Sequence, residues 1–145
     1  MDIEEQRRKA DAGSCVAQTM LGISYLYGYE VEVDYKEAFR LLSAAGTSRA
    51  VLNLGFMYEK GLGIPRNLPE AIRLLEAVAK PLDSSDAFAA RIELGRIYSS
   101  GSGMSVDTAN ALRWYRAAIA LASDDEDSED LREAKAYVAQ AITGL

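Results

Sequence analysis

The chain has 145 residues, 49% of them hydrophobic and 26% charged, which suits one ordinary domain with a real core and excludes a disordered chain. Sixteen Lys and Arg face 22 Asp and Glu for a net charge of −6, and six of the acids lie between Asp124 and Asp130; outside that run acids and bases balance, so no basic field for nucleic acid exists. Histidine is absent, which excludes Ser-His-Asp and Cys-His nucleophile pairs and His-liganded zinc, and the single Cys15 can form neither an internal disulfide nor a Cys-rich metal site.

A short helix is expected within Asp2 to Asp11. The uncharged stretch from Ala12 to Tyr29 follows Arg7, Arg8 and Lys9 and imitates a signal peptide or membrane span. Ser14, Gln18, Thr19, Gly22 and Ser24 interrupt it, and Glu4, Glu5 and Asp11 flank it, so a soluble cytoplasmic protein is expected, with no membrane partner.

From there one pattern recurs three times with its internal spacing unchanged. The first copy reads Ala17, Leu21-Gly22, Tyr25, Gly28, Val31, Asp34, Ala38 and Leu41-Leu42. The second reads Ala50, Leu54-Gly55, Tyr58, Gly61, Ile64, Asn67, Ala71 and Leu74-Leu75, and the third Ala90, Leu94-Gly95, Tyr98, Gly101, Met104, Asp107, Ala111 and Trp114-Tyr115. Ala, Leu-Gly and Tyr form one apolar stripe of a first helix, with the Gly removing a side chain where the partner helix must come close. The next Gly supplies a positive-φ residue that ends that helix. The second helix then starts at a side-chain cap: Asp34 with Glu37 and Asn67 with Glu70 read as capping boxes, and Asp107 caps without the reciprocal acid because Asn110 stands there. Pro65 falls in the turn and Pro69 in a first helical turn. Tyr25, Tyr58 and Tyr98 are expected in the core, each hydroxyl reaching a backbone partner, and Cys15 is expected to be a half-buried small hydrophobe.

The second and third copies are separated by seven extra residues around Lys80 to Asp86, a loop with Pro81 and Ser84-Ser85. After the third copy, Ser123 to Asp130 reads as an acidic linker, with Ser128 or Asp130 capping a last helix. In that helix Ala134, Val138-Ala139 and Ile142 repeat the first-helix stripe without a partner, as a helix capping the end of a stack would. The expected architecture is all-α: a right-handed α-α superhelix of three helix pairs over residues 14–46, 47–85 and 86–122, a linker over 123–130 and a capping helix over 129–143, all in one domain, 1–145.

The run Leu-Gly-x-x-Tyr-x-x-Gly-x-Gly, then Val, Ile or Met, then Asp or Asn and a second-helix Ala, resembles the Sel1-like repeat, a relative of the tetratricopeptide repeat. The third copy is the fullest match, with Trp114-Tyr115 and Arg116-Ala117-Ala118; the first has Glu30 in place of the second Gly, and the first two have Leu-Leu for Trp-Tyr. The resemblance implies a surface that holds other proteins rather than an enzyme, without naming the partner.

By analogy with tetratricopeptide geometry, a concave groove is expected along the first helices. It would be lined by Thr19, Met20, Ile23, Leu26 and Tyr27, by Leu52, Asn53, Phe56, Glu59 and Lys60, and by Ile92, Glu93, Arg96, Ser99 and Ser100. Of these, Met20, Ile23, Tyr27, Asn53, Phe56, Lys60, Glu93 and Arg96 are the expected partner-binding residues. Met20, Ile23, Tyr27 and Phe56 either anchor a partner or touch one another across neighbouring first helices. Asp124, Asp125, Glu126 and Asp127 are either a docking patch that steers a basic partner protein or a solvated linker. Gly61-x-Gly63 and Gly101-x-Gly103 lack the strand, third Gly and Lys of a phosphate loop and read as turns. No catalytic residue, metal or cofactor is expected. Three functions follow in order: a protein-binding adaptor; an immunity protein or inhibitor that occludes a bacterial toxin or secreted effector; and, remotely, an enzyme using Glu59, Glu93 and Arg96. Monomer is the favoured oligomeric state, with end-to-end stacking as the competing option.

Overall fold

The computed structural model describes residues 2–80 and 84–144, so Pro81 of the expected insertion lies outside the described residues. The order is α1 (Ile3–Asp11), α2 (Cys15–Tyr27), α3 (Tyr35–Ala45), α4 (Ser48–Lys60), α5 (Leu68–Ala79), α6 (Ser85–Ser100), α7 (Thr108–Leu121) and α8 (Glu129–Thr143), with no strand among the described residues. The chain divides within α5 into two compact units, Met1–Leu74 and Leu75–Leu145.

Caps set the helix boundaries, and they sort by helix type. First helices begin on a hydroxyl: Ser14, Thr47 and Ser84 accept the N–H of Ala17, Ala50 and Ala87 at 3.2, 3.1 and 3.0 Å. Second helices begin on an Asp or Asn: Asp34, Asn67 and Asp107 accept the N–H of Glu37, Glu70 and Asn110 at 3.0, 3.1 and 3.0 Å. These are half capping boxes, which corrects the reciprocal bond expected from sequence. The cap N–H of Asp34, Asn67 and Asp107 donates instead to the carbonyl of Tyr25, Tyr58 and Tyr98 at 2.9, 2.9 and 2.8 Å, tying the end of each first helix to the start of the second. Glu37 and Glu70, released from that duty, accept from Arg40 and Arg73 one turn on.

Gly28, Gly61 and Gly101 end the first helices at φ of 78°, 69° and 68°. Glu30, which stands where the other copies have a second Gly, adopts the same left-handed turn at φ 61°, so the turn is kept at the cost of strain in an L-residue.

In the first unit Leu26, Ala38, Leu42, Ala45, Ala50, Leu54 and Met57 form one apolar cluster, and Ala10, Ala17, Leu21 and Leu41 a second. In the second unit Ile92, Tyr115, Ala118 and Ala134 form the equivalent core. The stripe glycines act as close-approach points: a Cβ on Gly22 would sit 2.8 Å from Leu42 and one on Gly95 2.8 Å from the Tyr115 ring. Three expectations need correction. Cys15 is exposed, because it occupies the first turn of α2 outside the stripe. Tyr25, Tyr58 and Tyr98 are half-buried, and the Tyr25 hydroxyl accepts from the Arg7 side chain, Nη2 at 3.0 Å, rather than meeting a backbone partner. In α8 only Leu131 and Ala134 are buried, while Ala139 and Ile142 face outward.

Candidate functional site: the first-helix faces

α2 carries no charged residue. Val16, Met20, Ile23 and Tyr27, spaced at i, i+4, i+7 and i+11, therefore lie along one side of an uncharged helix. Val16, Met20 and Tyr27 are exposed, at 66%, 41% and 48%, whereas Ile23 is half-buried against the first-unit core. Leu26 and Leu52, expected to line the groove, are core residues with full neighbours.

Two hydrogen-bonded links join α2 to α4. The Thr19 hydroxyl donates to the Cys15 carbonyl at 2.8 Å and lies 2.7 Å from the Thr47 hydroxyl, so the α4 cap is itself held by α2. Tyr27 donates to Asn53 Oδ1 at 3.2 Å, and Asn53, buried, donates from Nδ2 to the Arg49 carbonyl at 2.8 Å. Phe56 is half-buried and Lys60 exposed. Beside the Thr19–Thr47 pair, a cavity of about 260 Å³ is lined by Val16, Thr19, Met20, Thr47 and Arg49. The arrangement offers apolar area with a basic margin and holds no nucleophile beside a base.

The second unit uses its corresponding positions differently. Ile92 is core. Glu93 is buried and lies 3.3 Å from Arg96 Nη1; Arg96 Nε donates to Glu133 at 2.9 Å and Nη2 to Asp130 at 2.8 Å. The guanidinium pKa is raised well above its ordinary value, first by the hydrogen bond to Glu133 and then by the bond to Asp130. Tyr115 donates to the same Glu133 at 3.2 Å, and burial pushes its hydroxyl up to about 12. Glu93 and Arg96, expected from sequence to meet a partner, thus serve an internal network that docks α8 on α6 and α7.

Asp124, Asp125 and Asp127 are exposed and Glu126 partly so; Asp127 accepts from Arg132 at 2.9 Å, and Ser128 caps α8 by accepting from Leu131 at 3.2 Å. Among the described residues no group of acids and Cys is placed to hold a metal ion, and no helix is long and apolar enough to cross a membrane.

Sequence reasoning missed Arg91. It is 8% exposed, donates to the Ala79 carbonyl at 3.0 Å and the Ala117 carbonyl at 2.6 Å, and has its pKa lowered by desolvation. The signal was available: Arg91 directly follows stripe residue Ala90, on a face otherwise apolar.

Comparison with known proteins agrees with this geometry. The Sel1 repeat model matches residues 15–47, 48–80 and 89–123, more than half of the chain. A crystal structure of a Sel1 repeat protein from Oxalobacter formigenes is 30% identical, covers 96% of this chain and 98% of its own, and superposes with a TM-score of 0.65. The crystal structure of c5321, a protective antigen present in uropathogenic Escherichia coli strains displaying an SLR fold, is 26% identical over 97% of this chain and 33% of its own, with a TM-score of 0.73. DAP3-binding cell death enhancer 1 of Rattus norvegicus is 38% identical over 76 residues, 50% of this chain. Protein SHC1 of Saccharomyces cerevisiae is 32% identical over 115 residues, 74% of this chain. The chain spans only 14% and 22% of the length of those two relatives. Helix pairs, close-approach glycines, caps and family match agree: the chain belongs to the Sel1-repeat family.

Proposed function

We propose that this chain is a non-enzymatic module that holds a partner protein on its first-helix faces. Sel1-repeat proteins are in general protein-interaction scaffolds and not typically enzymes. The observation that carries the reading here is the uncharged outer side of α2, where Val16, Met20 and Tyr27 stay exposed beside a cavity. Large apolar side chains held outside the core by a rigid helix are the composition of interface anchors. Phe56 extends that face on α4, with Lys60 at its margin, and Ile23 and the buried Asn53, which holds the Tyr27 hydroxyl, support it from beneath. Glu93 and Arg96 contribute by fixing α8 and with it the acidic segment. Asp124, Asp125, Glu126 and Asp127 steer a basic partner toward the second unit. The narrower reading, a cytoplasmic immunity protein or inhibitor of a toxin or secreted effector, draws its support from the same acidic run.

The test compares partner capture by the wild type and by Val16→Ser with Met20→Ser. Both residues are exposed, so the expected result is lost capture with an unchanged melting curve. Retained capture overturns the α2 face as the binding site. Neutralising Asp124, Asp125, Glu126 and Asp127 together is expected to slow association at low salt only; an unchanged rate makes the run a linker. One stoichiometric partner whose activity is abolished favours the inhibitor, and several weaker partners favour the adaptor.

A further inference from the structure

Four of the eight exposed large apolar side chains among the described residues, Tyr27, Tyr29, Val33 and Tyr35, lie close together along the chain at the turn from α2 to α3. The fold does not require them there. The positions of Tyr29 and Tyr35 are held in the second copy by Leu62, packed against the first-unit core, and by Leu68, which is buried; in the third copy they are Ser102 and Thr108. The repeat thus buries an apolar residue at these positions or places a small polar one, and the first copy alone leaves an aromatic ring in water.

Two of the rings are fixed in place. Tyr27 and Tyr29 meet with centroids 5.7 Å apart and planes inclined by 31°, and the Tyr27 hydroxyl is held by the buried Asn53 at 3.2 Å. Val33 returns to Gly28, the residue between the two tyrosines, where a Cβ would lie 3.1 Å from Val33 Cγ2. A partner that covers this surface finds the aromatic area already ordered and gives up little side-chain entropy. Tyr27 also ends the exposed row of α2, so the two surfaces are continuous.

Charge around the rings decides what covers them. Glu30 and Glu32 stand where the second copy has Gly63 and Pro65 and the third Gly103 and Ser105. Both are exposed, and neither has an ion pair or hydrogen bond among the described residues. No Lys or Arg occurs between Lys9 and Lys36. A tyrosine face attracts a cation through its ring quadrupole, and a carboxylate beside it pairs with the same cation. A planar guanidinium satisfies both, stacking on the ring while its N–H groups donate to the acid.

We propose that the α2–α3 turn binds an arginine-bearing basic segment of the partner protein, seated on Tyr27 and Tyr29 and paired with Glu30 and Glu32. This site rests on the reading that the chain holds a partner protein, and it names the chemistry of one part of that partner. It also gives Glu30 a role: glycine satisfies the turn in the other copies, whereas Glu30 holds φ at 61° and adds a carboxylate next to the rings.

The probe is a short Gly-Ser peptide carrying two arginines, titrated into isotope-labelled full chain and followed by the backbone amide signals. Asp124, Asp125, Glu126 and Asp127 are neutralised in this protein so that the acidic run does not compete. Matched peptides with citrulline, isosteric but uncharged, and with glutamate are the controls. The arginine peptide is expected to shift the signals of residues 27–35, saturating at roughly millimolar peptide, and to lose that effect at high salt; the controls shift none of them. Tyr29→Ser is expected to weaken binding about threefold, the size of one exposed cation–π contact. Glu30→Gly is expected to weaken it by about the same factor while raising Tm, and these opposite signs separate a binding role from a structural one. Equal shifts with the citrulline peptide, shifts confined to other residues, or wild-type binding by Glu30→Gly overturn the proposal. Because the peptide stands in for the partner, the two readings fail separately. A partner captured through Val16 and Met20 with no arginine peptide at the turn sinks this inference alone. An arginine peptide bound at the turn, with partner capture indifferent to Val16→Ser and Met20→Ser, sinks only the α2 face.

Discussion

The two units build the same helix pair and stabilise its flank by opposite means. In the first, α2 and α4 meet through neutral groups, Thr19 with Thr47 and Tyr27 with Asn53, over a hydrocarbon core. In the second, α6 and α8 meet through Arg96 and the two α8 carboxylates of Asp130 and Glu133, and Arg91 lies inside the core on carbonyl oxygens. Ile23 and Phe56 occupy the repeat position that Arg96 occupies in the third copy. Exposed large apolar residues divide the same way: Val16, Met20, Tyr27, Tyr29, Val33 and Tyr35 in the first unit, against Val106 and Ile142 in the second. A repeat scaffold thus leaves each copy free to spend its variable positions on a sticky surface or on internal charge pairing.

The contrast is broken most severely at Arg91. Arg91→Ala leaves two carbonyls without their donor and is expected to cost about 3 kcal/mol, read as a lower urea midpoint, whereas Arg49→Ala in the first unit, exposed, changes it little. A smaller midpoint shift would mean that water replaces the guanidinium.

Gly22→Ala comes next, at about 2 kcal/mol, because its Cβ would lie 2.8 Å from Leu42, closer than van der Waals contact allows. Combined with Leu42→Ala, which alone costs about 3 kcal/mol, the loss is expected to be clearly less than additive. Calorimetry of the two single variants and the double variant measures it. Full additivity would mean that Gly22 and Leu42 do not share the close contact.

Arg96→Ala is expected to cost about 1 kcal/mol at low salt and less at high salt, since the side chain is 39% exposed. Amide exchange in α8 should then be about fivefold faster with α2 unaffected. Equal acceleration in both helices would deny the separate bracing of the second unit.

Glu30→Gly sharpens the first-unit side of the comparison: relief of a positive φ is expected to raise stability by about 0.5 kcal/mol, visible as a small rise in Tm. The smallest effect concerns pH. Tyr115 is raised from 10.0 to about 12 in the folded protein, chiefly by burial. The unfolded chain therefore loses its proton first, and the contribution is complete below pH 10.0 and fades as pH rises toward about 12. Tyr115→Phe should flatten that alkaline decline; an unchanged decline assigns it to other groups.

Much of the fold was legible because repetition exposes it. Gly22 and Gly95 could be read as close-approach points since a glycine inside a helix needs a packing reason, and Asp34, Asn67 and Asp107 as caps since their side chains act within three residues. The reciprocal arm of the caps was illegible: its competitor, the tyrosine carbonyl, lies nine residues away along a turn. The groove was legible only in part. Met20 and Tyr27 stand out on α2, but Leu26, Leu52 and Ile92 went into the core, and Arg96 found acids more than thirty residues on while Glu93 faces Arg96 itself.

Local chemistry, then, is what the sequence by itself determined: helix type, caps, turns and the period that makes this a Sel1-repeat chain, all interactions within a few residues or repeated three times. The tertiary structure decided which charges are consumed and which apolar side chains remain outside. Those outcomes depend on neighbours brought together by packing, and a side chain's partner across helices is not encoded in its spacing along one.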